Sequence, residues 1–511
     1  MDTLLHFGMK MTDCSASRFE SLSMYRYLCD HVVGSEDTVT TIRMLNTVRD
    51  NLSYDDDTIC ITSGSFSEGL EMRGSDLDIM LAIKNVAVYE DDKSIPSDCS
   101  MTSLVMEGTQ HGFTKLRLAR SYNYKLDCLC VKEGNIQYLS SGLIRSTLSQ
   151  MNNTVIHGPC VSDNDGELDL TICFHSKTWI SPAHEWITRS CGSWPNREIK
   201  STILDHGVLF VPIGVKGSPE EDLTWRISFS VGEKFLINSF CHTQLLCYAL
   251  MKILLKDVIS VKPGCKDLLC SFFIKNIIFW ICEEQSSFIW TPDNLLPCFM
   301  ECFKRLLYCV ENSVCPHYFI PENNLFENRI EGNNKNSLLN VLYTLYRQGW
   351  RCILFSDQFC KRKFDSRTTR NRTQMQVAYL SNISRTLHIR RAINRAASPM
   401  KFYKKMIYVI LRCVSPKEMS YYRYSMSLLL YDNAQYIPVI SINGNKKQYK
   451  QYQTSLAYIL QSIYHDAASG WIMLASLFYQ TKQYKKVLFI LSYVMTKFTP
   501  EKLYCQKRLS Q

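Results

Sequence analysis

The chain has 511 residues, a formal net charge of +10, and a composition that is 46% hydrophobic and 21% charged. That balance excludes a disordered chain, and the length is enough for roughly two to four domains with at least one large core. The 22 cysteines are scattered, mostly in apolar stretches, and no CxxC pair occurs. They are expected to be reduced, buried thiols rather than a disulfide framework.

The N-terminus and the apolar segments indicate whether the chain is secreted or crosses a membrane. The first twenty residues contain no basic region followed by a long apolar run, so no secretory signal is predicted and a cytoplasmic protein is expected. The most apolar segments, 244–255 and 268–282, contain Lys252 and Lys275 and are too short to cross a bilayer. Both are predicted to be buried helices, and no membrane span is expected.

The first half of the chain predicts a mixed α/β pattern. Apolar residues recur at helical spacing from residue 15 to 51, and the alternating segment 58–62 is followed by a break at Gly64 and Ser65. A helix is predicted to begin at the serines of 140–153. Beyond the strand that contains Asp76, further strands are predicted at 113–118, 124–131, 166–175, 207–215 and 223–230.

From residue 235 onward the pattern becomes helical. Helices are predicted at 235–258, 266–284, 295–312 and 337–350, and segment 470–494 resembles one tetratricopeptide-like hairpin. The expected organisation is an α/β core with a mixed twisted sheet and flanking helices, then an all-α helical bundle, then a helical C-terminal extension. The predicted domains are 1–232, 233–360, 361–405 (a basic linker or helix) and 406–511.

Two carboxylates stand one residue apart in the stretch GSFSEGLEMRGSDLDIML, which begins at Gly64. Alternate residues of a strand share a face, so Asp76 and Asp78 are expected to point the same way, with Leu77 and Ile79 on the other face. Like charges side by side are unfavourable unless a cation lies between them. The pair therefore predicts a divalent metal site.

A third carboxylate extends this site. In the strand at 166–175, Asp169 is expected on a polar face, opposite Leu168, Leu170 and Ile172. Three carboxylates can hold two divalent ions, and Gly64 and Ser65 add a close backbone approach and donors for phosphate. The combination is typical of nucleotidyl transfer.

The positive charge is concentrated in one segment. Between Lys361 and Lys405 there are thirteen Lys and Arg residues against one acid, Asp365. One interpretation is an electrostatic footprint for nucleic acid. The other is a solvated linker and helix face.

Several motifs together resemble one family. GSFSEGL with SDLDIML, LDLTICFHSKTWISPAHEW, LTWRISFSVGEKFL, CHTQLLCYALMKILLKD and CPHYFIPENNLF are similar, in order over about residues 15–360, to the cyclic GMP-AMP synthase-like receptors. These are animal nucleotidyltransferases that share a Mab (male-abnormal) domain. The resemblance implies a nucleotidyltransferase core followed by a helical Mab-type lobe that completes the cleft.

The resemblance also assigns roles to particular residues. The catalytic and metal-binding carboxylates would be Asp76, Asp78 and Asp169, which would hold two Mg²⁺ or Mn²⁺ ions. Nucleotide contacts would come from Ser63, Gly64, Ser65, Arg226, Ser228, Glu233, Lys252, Ser271, Phe272 and Lys275. The zinc-binding insertion of the vertebrate sensor is missing from NSFCHTQLLCYALMK, so no zinc is expected.

Three of these residues have ordinary structural interpretations as well. Arg226 could pair with a surface acid, Lys252 could be a helix residue that extends its amine to solvent, and Phe272 could belong to the core.

The activity that the resemblance implies is synthesis of a cyclic dinucleotide from ATP and GTP in innate immune sensing. The expected activator is a nucleic acid, with double-stranded RNA as the first candidate, and oligomerisation on that ligand is conceivable. The bases and the phosphodiester linkage stay open. The alternative is a catalytically silent Mab-domain scaffold, against which the three intact carboxylates argue.

Overall fold

A computed structural model describes most of the chain. It covers residues 14–52, 57–70, 72, 76–150, 154–163, 168–189, 192, 194–360, 407–413, 415–435, 445–463 and 468–496. The basic segment 361–405 lies outside the described residues. Contacts divide the chain into two compact units, one of residues 1–46 and 55–369 and the other of 47–54 and 370–511.

Eleven strands of the first unit form one sheet. Their bounds are β1 Thr58–Ser63, β2 Leu77–Tyr89, β3 Thr102–Gly108, β4 Phe113–Arg120, β5 Cys130–Glu133, β6 Ile136–Leu139, β7 Thr154–His157, β8 Cys160–Asp163, β9 Leu168–Ser176, β10 Val208–Val211 and β11 Thr224–Ser228. The strand order is β1-β2-β3-β4-β11-β10-β9-β8-β7, and β2 also pairs with β9. That extra pairing closes β2, β3, β4, β11, β10 and β9 into a ring.

The long strand β2 is what allows the ring to close. Its first half lies between β1, which is antiparallel, and β9, which is parallel, and its second half pairs with β3 in parallel. The described sheet is therefore mixed, as the sequence predicts.

Thirteen helices of the described residues begin in the first unit. They are α1 Cys14–His31, α2 Glu36–Leu52, α3 Gly64–Ser67, α4 Tyr124–Asp127, α5 Ser141–Ser149, α6 His184–Thr188, α7 Arg197–His206, α8 Ser230–Asn238, α9 His242–Ile253, α10 Ser271–Glu284, α11 Leu295–Asn312, α12 Gly332–Arg347 and α13 Asp357–Cys360. A π-helical turn, Leu254–Ile259, continues α9. Every residue of α9 except Lys252 is buried, so this helix forms the centre of the helical part.

One hydrophobic core connects the sheet to the helices. Trp225 on β11, Leu236 on α8, Leu250 on α9 and Phe279 on α10 all belong to it. Side chains on both sides of residue 232 thus pack in the same core, and the domain boundary placed there stays a prediction.

Four helices of twelve or more residues lie in the described part of the second unit. They are α14 Pro416–Gln435, α15 Asn445–Ser462, α16 Ser469–Gln480 and α17 Tyr484–Met495. Leu474 and Leu477 of α16 pack with Ile490 and Val494 of α17 in a small core of their own. Across the described part of the chain, no helix combines the length and apolar character that a membrane crossing needs.

The structure corrects two details of the sequence analysis. Segment 124–131 is not one strand: α4 occupies Tyr124–Asp127, and β5 begins at Cys130. On β9, Asp169, Thr171 and Cys173 are buried, Leu168, Leu170 and Ile172 are partly exposed, and Phe174 on that second face is buried in the main core. Both faces of β9 are thus covered: Val231 of α8 packs with Cys173 in a second apolar cluster, and Phe174 packs in the main core.

Candidate active site

The three aspartates meet at the pairing of β2 with β9. Asp78 lies opposite Asp169 in the parallel register and opposite Ser63 of β1 on its other side. Asp76 comes just before β2 begins at Leu77. One carboxylate oxygen from each aspartate lies within 4.8 Å of the others. The sequence predicted this group, although Asp76 precedes the strand rather than lying in it.

The negative charges of the three aspartates repel one another. Burial raises the pKa of Asp78 to about 7, and the neighbouring carboxylates of Asp76 and Asp169 add to the rise. A carboxylate in such surroundings is stabilised in its ionised form by a divalent cation, and oxygen ligands suit Mg²⁺ and Mn²⁺. The residues present therefore fit the expected metal ions.

Asp169 is oriented by the hairpin of β7 and β8. The hydroxyl of Ser162 donates to its Oδ1 at 2.5 Å, and Nδ1 of His157 lies 3.7 Å from its Oδ2. Sequence reasoning missed both residues. The alternating segment TVIHGPCVSD, with glycine in its centre, was the available indication of a hairpin beside the strand that carries Asp169.

The turn α3 places the backbone of Gly64 close to the side chain of Asp78. Gly64 has φ +66°, and a Cβ atom there would lie 1.7 Å from Oδ2 of Asp78. Two side chains of helix α2 hold this turn by hydrogen bonds to its backbone. Arg43 Nε donates to the carbonyl oxygen of Glu68 at 2.9 Å, and Asn46 Nδ2 donates to the carbonyl oxygen of Phe66 at 2.7 Å. Glycine is thus required here by both backbone conformation and space.

Lys252 reaches the same turn from α9. Its amine donates a hydrogen bond to the hydroxyl of Ser65. Burial lowers the pKa of this lysine, and the carboxylate of Glu68 opposes that effect. The side chain therefore points into the cleft, which disagrees with the interpretation of Lys252 as an amine extended to solvent.

Lys275 lies between two buried carboxylates. Its amine is 2.7 Å from Glu68 Oε1 and 3.0 Å from Glu233 Oε2. Burial lowers its pKa, but the two carboxylates outweigh burial and hold the pKa well above its ordinary value. The sequence analysis assigned Lys275 and Glu233 to nucleotide binding and missed Glu68, which lies in the same quoted motif.

The predicted base contacts lie on β11 and at the start of α10. Arg226 is exposed, and among the described residues it forms no ion pair, unlike the surface pairing considered above. The hydroxyl of Ser228 accepts the backbone N–H of Ser230 at 3.4 Å. Ser271 is exposed, and the ring of Phe272 is half-buried, whereas Phe273 is in the core.

Known proteins are similar to part of this chain. Residues 244–343 match the model of the Mab-21 protein HhH/H2TH-like domain. Cyclic GMP-AMP synthase of Mus musculus is 29% identical over 181 residues, which are 32% of this chain and 34% of the mouse protein. The synthase of Sus scrofa is 27% identical over 176 residues, 31% of this chain and 35% of the pig protein.

An invertebrate protein is also similar. A cyclic GMP-AMP synthase-like receptor of Magallana gigas is 28% identical over 115 residues, which are 21% of this chain and 19% of the oyster protein. The chain thus spans about a third or less of the length of these curated relatives.

Proposed function

We propose, from its similarity to cyclic GMP-AMP synthase-like Mab-21 proteins, that this chain is a metal-dependent nucleotidyltransferase. The observation that carries the proposal is the cluster of Asp76, Asp78 and Asp169 beside the turn at Gly64. The raised pKa of Asp78 is a cost that a scaffold protein has no chemical reason to keep.

We propose a separate role for each of the polar residues of the cleft. Asp76, Asp78 and Asp169 would hold two divalent ions, which would supply neutralisation of triphosphate charge and activation of the attacking hydroxyl. The hydroxyl of Ser65 accepts a hydrogen bond from Lys252, so its own proton is free to donate to a phosphate oxygen. The ammonium of Lys252 adds positive charge where the triphosphate would lie.

The base contacts complete the proposal. The exposed guanidinium of Arg226 supplies planar donors for a base edge, and the half-buried ring of Phe272 supplies a stacking face. We propose ATP and GTP as substrates, a cyclic dinucleotide as product, and double-stranded RNA as activator. The relatives' printed names support the product class.

The test is a product assay on the purified protein. Labelled ATP and GTP are incubated with Mg²⁺ or Mn²⁺ and a panel of double-stranded RNA and DNA, and products are identified by mass spectrometry. Wild-type protein should yield a dinucleotide that depends on metal. The variant carrying Asp76→Asn and Asp78→Asn should yield none while its thermal unfolding remains cooperative, because removal of like charges relieves repulsion.

Two results would reject the assignment. One is dinucleotide formation by the double variant at a rate near that of the wild type. The other is the lack of any product from wild-type protein across the whole panel together with unchanged thermal stability on addition of metal and nucleotide.

A further inference from the structure

His317 is a buried histidine beside the proposed base contacts. It follows α11 in the segment CPHYFIPENNLF and is only 5% exposed. Its ring centroid lies 5.8 Å from that of Phe272 and 5.5 Å from that of Phe229. His317 therefore packs with Phe229 and Phe272.

Backbone hydrogen bonds fix the ring's protonation. Nδ1 of His317 accepts the N–H groups of both Phe319 and Ile320, each at 3.1 Å. A nitrogen that accepts two N–H groups cannot carry a proton itself, so the neutral ring holds its proton on Nε2. Burial, with a smaller contribution from the charge of Arg226, lowers the pKa of His317 to about 3. Near neutral pH the ring is a neutral donor with a fixed orientation.

That donor has no protein acceptor in the described part of the chain. Nε2 makes no hydrogen bond there, and it is not among the fully buried polar atoms that lack a partner. Nε2 is therefore not completely enclosed by protein atoms. A donor in this position is satisfied by water until a ligand replaces the water.

We propose that His317 reads the base of the nucleotide that stacks on Phe272, by donating its Nε2–H to an acceptor on the base edge. The inference rests on the proposed function and adds a specificity-determining residue to it. Arg226 is also a pure donor, so His317 and Arg226 together offer two donors to a base edge. Guanine presents two acceptors, N7 and O6, on one edge, whereas adenine presents one acceptor and one donor. The expected ligand is therefore a guanine nucleotide.

The test uses two substitutions that separate the two ring nitrogens. In His317→Asn, the amide oxygen takes the place of Nδ1 and can accept the two backbone N–H groups, but the Nε2–H is lost. In His317→Gln, the longer amide places an N–H near the position of Nε2, but the support of the backbone is lost. His317→Asn therefore removes the Nε2–H donor that is proposed to contact the base. His317→Gln removes the Nδ1 acceptor that holds the backbone N–H groups.

Binding is measured by calorimetry with the α,β-methylene analogues of GTP and ATP in Mg²⁺, because these analogues bind without transfer. His317→Asn should lower the preference for the guanine analogue by about three- to tenfold, the effect of one neutral hydrogen bond, with little change in melting temperature. His317→Gln should keep the preference and melt at a lower temperature.

The possible failures are distinct. If His317→Asn binds both analogues with the wild-type preference, or if the wild type prefers the adenine analogue, His317 does not read the base, and the proposed transferase function still stands. If wild-type protein binds neither analogue, the proposed function itself fails and this inference fails with it.

Discussion

Gly64 is the residue whose replacement tests the site most directly. With φ +66° and Oδ2 of Asp78 1.7 Å from a Cβ position, Gly64→Ala combines backbone strain with a collision. The strain alone costs about 1–2 kcal/mol, and the collision displaces a metal-binding carboxylate. We expect loss of dinucleotide synthesis and weaker metal binding, measured by product assay and by calorimetry with Mn²⁺.

The matched control for this prediction is Gly134→Ala. Gly134 has φ +62°, and nothing lies within 4 Å of a Cβ position there. This variant carries the strain without the collision, so it should lose similar stability and keep its activity. Equal activity in the two variants would show that the approach of Gly64 to Asp78 has no catalytic role.

Asp78 predicts an unusual pH dependence for metal-free protein. Its pKa of about 7 in the folded state exceeds the value near 3.9 of an unfolded aspartate. Between these values the folded state binds more protons, so the free energy of unfolding should fall as pH rises from about 4 to about 7. Urea unfolding of EDTA-treated protein should show a smaller fall for Asp78→Asn than for wild type.

The control substitutes an aspartate outside the site. Asp98 is exposed, and Asp98→Asn should leave the wild-type slope intact. Identical slopes for wild type and Asp78→Asn would mean that the carboxylate is not destabilised by its surroundings. Addition of Mg²⁺ should raise the stability of wild type and not that of Asp78→Asn, since the ion binds the ionised form.

At the scale of elements, Lys275 joins three segments of the cleft. It lies on α10, Glu233 lies on α8, and Glu68 directly follows α3. Lys275→Met would leave the buried carboxylates of Glu68 and Glu233 without their direct ion-pair partner. We expect a loss of about 3–5 kcal/mol in the free energy of unfolding, measured with urea, and partial recovery when Glu68→Gln is added.

Lys115 provides the comparison for this ion pair network. Its amine also bridges two glutamates, Glu133 and Glu220, but their side chains are 42% and 48% exposed. Lys115→Met should therefore cost at most about 1 kcal/mol. If both lysine variants lose the same stability, burial of Glu68 and Glu233 does not determine the effect.

Sequence patterns predicted elements better where local periodicity and tertiary packing agree. The alternation around Asp78 and the serines before α5 gave the right element because both signals are local. The burial of the Asp169 face of β9 was not predicted, since periodicity shows that Asp169 and Phe174 lie on opposite faces but not that α8 covers the first of them. The strand expected at 124–131 failed because its apolar residues suit a short helix and a strand equally.

The residues of the candidate site also fall into those that local sequence motifs predict and those that they do not. The three aspartates share short motifs with recognisable chemistry, so they could be predicted. Ser162 and His317 could not, because their roles come from contacts with residues that are distant in sequence or from backbone groups in an irregular segment. The pairing of Lys275 with Glu68 is likewise a contact between distant segments, which a single sequence does not show.

At the scale of the whole molecule, the basic segment 361–405 gives a prediction that rests on sequence alone. We expect it to act as a connector, so Arg390→Glu, Arg391→Glu and Arg395→Glu together should leave RNA affinity, its salt dependence and activation unchanged. If instead the three arginines neutralise phosphates, the slope of log affinity against log salt would flatten by about two to three units, at roughly 0.7–0.9 per contact. Filter binding over a range of salt concentrations distinguishes the two.

The closed ring of strands has a consequence for how the site is kept assembled. Residues 78–82 of β2 have hydrogen-bonded neighbours on both sides, and the strand that carries Asp169 pairs with β2 at the same place. Amide hydrogens there cannot be released by fraying at an edge, so deuterium should replace them only when the ring opens. In hydrogen–deuterium exchange, this seam should be among the last segments to take up deuterium even in metal-free protein, well after the outer hairpin of β5 and β6. A metal ion would then arrive at carboxylates that are already in place and would lose little affinity to ordering the chain.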